Sequence, residues 1–331
     1  MISIGPFDPS RDADTLQQAS AAQFGRDSYQ HLGRYMEWLY HANPAGHGSR
    51  DCLVARQNDA IVGCMHRMRL PLAGSPGRGD VAVLHNHFVQ DAVRTGAGVL
   101  LLRRAVKDVE AGFAPGVQAP LDQVYRRLGF QEYAADWLAR TLSPGAAAMQ
   151  LASARWRPGA PARIDLPRLQ HRFGDLTISA CPDRTAVEAL CTAMRAPLAR
   201  GIGVDWSPAL VRWRYFDPLG PRHLWVAAPD GREWAVVSIG RRRGAVVARL
   251  LQLAPDAGDT FVNKAMAVAR AAGASVALCF ATDPTVAALL QAAKWKVRDN
   301  STFSFRTEGP PLALDAGASD VGFEAIATQL D

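Results

Sequence analysis

Residues 81–109 read VAVLHNHFVQDAVRTGAGVLLLRRAVKDV. Val81–Val89 is an apolar run rich in β-branched and aromatic residues, the composition of a strand. Arg94-Thr95-Gly96-Ala97-Gly98 follows, and Val99–Val109 then carries apolar residues at helical spacing. A glycine-rich turn between a strand and a helix presents unpaired main-chain N–H groups at the positive end of the helix dipole, which suits a phosphate. Gly96 and Gly98 place no Cβ in the way of a pyrophosphate, and Arg94 can add a charge-assisted contact. The candidate phosphate-binding residues are therefore Arg94, Thr95, Gly96, Ala97 and Gly98, with Val89 at the end of the strand.

Other phosphate and catalytic motifs do not fit. A dinucleotide fingerprint would need a third glycine, but Val99-Leu100-Leu101 follows Gly98, and no later acidic residue has a clear ribose role. There is no GK[ST], no HExxH and no GxSxG.

Upstream, Ile2–Ile4 reads as a short strand, and Asp14–Phe24 and Tyr29–Tyr40 as helices. Cys52–Arg56 and Ile61–Leu70 form a hairpin around the polar Gln57-Asn58-Asp59-Ala60. Downstream come a strand at Gly112–Val117 and a helix at Leu121–Leu128, with Gly129 at the C-capping position. Thr141–Arg168 is proline-rich and aperiodic, and reads as a linker.

The same order then repeats. Leu176–Ala180 is strand-like and Arg184–Ala196 helical. A hairpin at Leu224–Ala228 and Trp234–Ile239, a strand at Ala245–Leu253 and a helix at Thr260–Ala271 follow. Ser275–Phe280 and Pro284–Ala293 close the series. Two landmarks recur in order: WLYHANPAG at 38–46 resembles WRYFDPLG at 213–220, and Gln123–Phe130 resembles Ala288–Trp295. The pattern predicts an internal duplication. The expected division is 1–143, a linker at 144–170, a second domain at 171–307 and a tail at 308–331.

With the hairpin and the glycine turn, Tyr125-Arg126-Arg127-Leu128-Gly129-Phe130 makes the first half resemble the GCN5-related N-acetyltransferase (GNAT) family. That family pairs a pyrophosphate-binding turn after its fourth strand with a helix ending in Y-x-K/R-L-G-F. The resemblance covers residues 2–140 by motif and 172–306 by architecture. It implies an α/β fold with a mixed sheet: two tandem GNAT folds, each a mostly antiparallel twisted sheet flanked by helices. One departure stands out, because Val93 occupies the usual Q/R position of the loop and the arginine falls one place later. In the second half Ala254-Pro255-Asp256-Ala257-Gly258-Asp259-Thr260 replaces the glycine turn. Its carboxylates would repel a pyrophosphate, so only the first half is expected to bind CoA.

The resemblance implies acetyl-CoA or another acyl-CoA as co-substrate, no metal, and a small-molecule amine as acceptor. An amino sugar, sometimes nucleotide-linked, is the favoured acceptor. Tyr125 takes the family's proton-donor position. The base is left open between His85 and His87, which strand alternation puts on one face, opposite Asn86. As a metal site, His-x-His lacks a third ligand along the chain. Two alternatives stay open: a FemABX-like aminoacyl transferase using charged tRNA, and a non-catalytic acyl-CoA-binding protein.

Composition is consistent with these readings. Of 37 basic residues 33 are arginine, with a net charge of +6 that favours anionic ligands. The arginines are dispersed rather than striped, which argues against a nucleic-acid partner. Five scattered cysteines, no apolar run long enough to span a bilayer and no secretory leader pattern point to a cytoplasmic protein. A homodimer is compatible with the sequence.

Overall fold

Hydrophobic periodicity becomes two successive α/β units in the computed structural model, which describes residues 2–24, 33–74, 79–90, 93, 96–115, 119–154, 165–195, 202–220, 223–242, 245–281 and 284–307. Among these, unit 1 holds the residues up to Tyr133 and those from Thr302 onward. Unit 2 holds Ala134 to Ser301. No helix among the described residues is long and apolar enough to cross a membrane.

Unit 1 begins with β1 (Ile2–Pro6) and α1 (Pro9–Phe24). The Asp8 carboxylate accepts the Ser10 N–H, and the Asp8 N–H donates back to Asp12, a reciprocal cap that satisfies first-turn donors. A short helix α2 (Gly33–Met36) runs into a π-helical turn, Glu37–His41, that buries Trp38, Leu39 and Tyr40. Next come β2 (Cys52–Gln57), β3 (Ala60–Gly74), β4 (Gly79–Val89), α3 (Ala97–Ala105), β5 (Ala111–Pro115) and α4 (Ala119–Arg127). The Asn58-Asp59 turn of the β2–β3 hairpin has positive φ at both residues, as the tightest hairpins require. The strands β1 to β4 are antiparallel in series, and β4 pairs β5 in parallel.

Helix α3 buries Ala97, Leu101, Leu102 and Ala105. They pack on Leu53, Ala55, Met65, Ala82 and Leu84 of the sheet and on Tyr125 and Phe130 from α4 and its end. Removing such side chains from water is the main stabilising contribution, about 1.5–3 kcal/mol for each large apolar group.

Unit 2 repeats the plan. It contains β6 (Gln131–Thr141, from Ala134 on), α5 (Pro144–Ala154), α6 (Leu166–Arg172), β7 (Thr177–Ser179), α7 (Arg184–Arg195), β8 (Ile202–Val204) and α8 (Pro208–Val211). These are followed by β9 (His223–Ala227), β10 (Trp234–Arg242), β11 (Ala245–Leu253), α9 (Asp259–Ala271), β12 (Val276–Ala281) and α10 (Pro284–Ala292). A second π-helical turn, Arg212–Phe216, buries Trp213 and Tyr215. Both recurring Trp-x-Tyr motifs thus sit on the same unusual turn, which is packing rather than ligand chemistry. The α4 and α10 ends also match: Phe130 N–H reaches the Tyr125 carbonyl and Trp295 N–H the Leu290 carbonyl. Gly129 (φ 85°) and Lys294 (φ 65°) occupy the left-handed capping position in each.

The last strand of each half joins the other unit's sheet. Residues 136–141 of β6 pair antiparallel with β12, inside unit 2. β13 (Lys296–Thr307) supplies residues 303–307 to β5, inside unit 1. A boundary at 143/144 therefore cuts the chain after the exchanged strand, whereas the compact units divide at 133/134 and 301/302. The stretch 144–170 contains two helices. Gln150 on α5 accepts the Val246 N–H (2.8 Å) and the Ser275 hydroxyl (2.7 Å), which ties α5 to β11 and to the residue before β12. Residues 155–164 and the tail at 308–331 lie outside the described residues.

Candidate acyl-CoA site

Among the described residues β4 and β5 pair at Val81–Val83 with Ala111–Phe113, and β4 then runs on to Val89 with no further β5 partner among them. The two parallel strands therefore part toward their C-terminal ends, and α3 starts beside the gap. Gly96 caps α3 at φ 83°, a conformation that costs most side chains about 1–2 kcal/mol. The Gly96 carbonyl accepts the Leu100 N–H (3.1 Å). The amides before Leu100 have no acceptor within the helix. Ala97 is buried, and Gly98 faces strand β4. Arg94 and Thr95 lie outside the described residues.

A bulge interrupts β4 at this point. Cys64 opposes Phe88 and His66 opposes His85, so two steps on β3 match three on β4. That extra residue overturns the alternation expected for the histidines. His87 turns to the α3 face: its Nε2 lies 3.2 Å from where a Cβ on Gly98 would stand, and Val89 Cγ2 lies 3.5 Å from the same point. His85 stays on the other face, its ring 5.4 Å from that of His66. The assignment of faces follows from β2, where Leu53 packs with α3 while its neighbour Cys52 opposes His66. Burial pulls the His87 pKa down to about 4, partly opposed by the Gly98 main chain, so its ring is neutral at physiological pH.

Tyr125 lies on the α3 side of the sheet, buried, its ring edge-on to Phe130 with centroids 5.0 Å apart. Burial raises its pKa, so the phenol keeps its proton throughout the working range. Val89, opposite Gly63 at the end of β4, is partly buried against the same cluster. The sheet therefore brings His87, Val89 and Gly98 together on the α3 side and sets His85 apart.

The corresponding helix terminus in unit 2 meets a carboxylate of the chain. β11 and β12 also pair at only three positions, and β10–β11 carries a matching irregularity at Val236/Val237. But the Glu233 carboxylate accepts the N–H of Gly258, the residue capping α9, at 2.8 Å. An anion of the chain's own holds this helix terminus, with Asp259 beside it. Asp256 and Asp259 are legible in the sequence; Glu233, 25 residues away from Gly258, carries no sequence signal for that role.

No family model matches the chain, and no curated protein matches it by sequence. Solved structures do match by fold. A GCN5-related N-acetyltransferase from Kribbella flavida is 17% identical with a TM-score of 0.53, covering 93% of this chain and 71% of its own. A second GCN5-related N-acetyltransferase, from Anabaena variabilis, is 11% identical with a TM-score of 0.58, covering 93% and 73%. Saccharomyces cerevisiae N-myristoyltransferase with bound myristoyl-CoA is 11% identical with a TM-score of 0.60, covering 99% and 85%. The fold of this chain is the GNAT fold, over nearly its whole length.

Proposed function

We propose that the chain is an acyl-CoA-dependent N-acyltransferase whose co-substrate binds unit 1 and whose acceptor is a small-molecule amine. The observation that carries this reading is the contrast between the two helix termini. At α3 the first-turn amides lie beside a parted strand pair; at α9 the Glu233 carboxylate holds the N–H of the capping residue. A diphosphate suits the α3 amides, and the extended, amide-bearing pantetheine suits β4 beyond its pairing with β5, as a peptide strand would.

The amine attacks the thioester carbonyl carbon, a β4 main-chain N–H stabilises the oxyanion, and collapse of the adduct expels the CoA thiolate. The Tyr125 hydroxyl gives that thiolate its proton. His87, neutral and on the α3 side, is the base candidate for the proton lost by nitrogen; its low basicity favours relay through water. We assign His85 no proton-transfer role, because it faces away from α3. The arginine-rich composition favours an anionic acceptor such as a nucleotide-linked amino sugar.

The test is CoA-thiol release from acetyl- and longer acyl-CoAs with a panel of amines, with and without ribonuclease, beside the melting temperature in saturating CoA. Ribonuclease-insensitive thiol release and a rise in melting temperature are expected. Failure of every CoA species to bind overturns the reading. Binding without release on any amine reduces the protein to an acyl-CoA carrier.

A further inference from the structure

On the face of the unit 1 sheet away from α3, three strands place four potential metal ligands side by side. Cys52 on β2 opposes His66 on β3, and His66 opposes His85 on β4. Cys64, two residues before His66, shares that face. All four residues are buried, and both cysteines are free. The ligand atoms of Cys52, Cys64 and His66 lie within 4.8 Å of one another. The His85 ring is 5.4 Å from that of His66, centroid to centroid.

We propose that these residues form a structural site for one zinc ion, with Cys52, Cys64 and His66 as ligands and His85 completing the set. Two observations support it. The two sulfurs are 3.8 Å apart. Two thiolates on a tetrahedral zinc, each bonded at about 2.3 Å, are separated by about 3.8 Å. The Tyr40 hydroxyl, whose ring stacks on His66, engages its Nδ1. In the proposed centre Nε2 faces the ion, and Tyr40 is the partner on the far nitrogen that metal-bound imidazoles ordinarily have.

The duplicated half provides an internal control. By strand pairing, His223 opposes Ser238 and Ser238 opposes Arg249, in the row equivalent to Cys52, His66 and His85. Val236 stands where Cys64 does. The fold closes this layer without a thiol, so the two cysteines and paired histidines are not a requirement of the architecture.

Charge selects the ion. Binding releases one proton from each thiol, and two thiolates with a dication give a neutral centre, which a buried site tolerates. A monovalent ion would leave a net negative charge there. The centre would clamp β2, β3 and β4 behind the bulge that carries His87.

The test uses the full chain, untagged, purified under reducing conditions from zinc-supplied cells without chelator. Mass spectrometry of the metal content is expected to find about one zinc per chain, lost in Cys52→Ser and in Cys64→Ser and retained in the exposed-cysteine control Cys181→Ser. If the cysteine variants fail to fold, cobalt titration of the reduced, metal-free wild type reads the same site. One equivalent should raise a thiolate-to-cobalt charge-transfer band and release two protons. His85→Asn should weaken zinc retention at least about tenfold in chelator competition; unchanged retention removes His85 from the set. Zinc-free protein with no charge-transfer band, or zinc content indifferent to both cysteine changes, overturns the proposal. So does a Cys52–Cys64 disulfide found in metal-free protein. These readouts need no acyl-CoA, so they succeed or fail independently of the proposed activity.

Discussion

Gly96 allows the proposed phosphate site to be probed by charge alone. It caps α3 at φ 83°, and a Cβ there would meet nothing within 4 Å. Gly96→Asn and Gly96→Asp therefore carry the same backbone cost, about 1 kcal/mol, and both residue types tolerate the left-handed region better than most. They differ by one charge. In the free protein that charge favours the helix terminus, so the Asp variant should melt no lower than the Asn variant. With CoA bound, a diphosphate on the first amides of α3 would lie about 5 Å from the carboxylate. Two negative charges at that distance, with an effective dielectric constant between about 40 and 80, repel it by roughly 1.5–3 kcal/mol. This corresponds to about ten- to hundredfold in Kd. Isothermal titration with CoA at two salt concentrations measures it. Gly96→Asn should bind within about threefold of wild type, and Gly96→Asp ten- to hundredfold more weakly, with the gap narrowing as salt rises. Equal affinities in two folded variants would refute the placement of the diphosphate.

Three further outcomes are expected. Tyr125→Phe keeps the edge contact with Phe130 and so should barely move the melting temperature, while kcat falls by about a hundredfold with little change in KM; unchanged turnover in steady-state assays excludes the hydroxyl. His87, with its pKa near 4 against an ordinary 6.5, makes folding oppose protonation. The unfolded chain takes up the proton below pH 6.5 and the folded chain only near pH 4. Stability is thus lost as pH falls through that window, by at most about 3 kcal/mol, and His87→Gln should flatten urea-derived stability there. Asp12→Asn leaves the Arg56 guanidinium buried beside a neutral amide and should cost about 3–5 kcal/mol in urea unfolding. Burial alone would raise the Asp12 pKa, but hydrogen bonds from Arg56, the Asp8 main chain and Arg11 hold it below the usual carboxylate range. Its contribution is therefore present at neutral pH and lost as the carboxyl protonates in acid.

Most elements were legible in the sequence because their information is local. The helical spacing after Gly98, the hairpins, and the paired Trp-x-Tyr and α4/α10 landmarks all reveal the duplicated GNAT plan within windows of ten to twenty residues. The exchanged strands were not legible. Gln131–Thr141 mixes exposed and buried positions, and Lys296–Thr307 is largely polar. Each finds its partner strand by packing in the other half rather than by a pattern of its own.

The candidate site divides along the same line. Gly96, Gly98 and Tyr125 announce themselves through turn and helix chemistry that neighbouring residues dictate. The separation of His85 from His87 depends on a bulge that exists only once β4 is paired to β3. The Glu233 plug on α9 depends on a loop and a helix end meeting across 25 residues of chain. The Cys52, Cys64, His66 and His85 group depends on the register of three strands. Side-chain period and capping are set by adjacent residues, so the sequence alone determined them. Which faces meet is set by long-range pairing, and only the tertiary structure decided that.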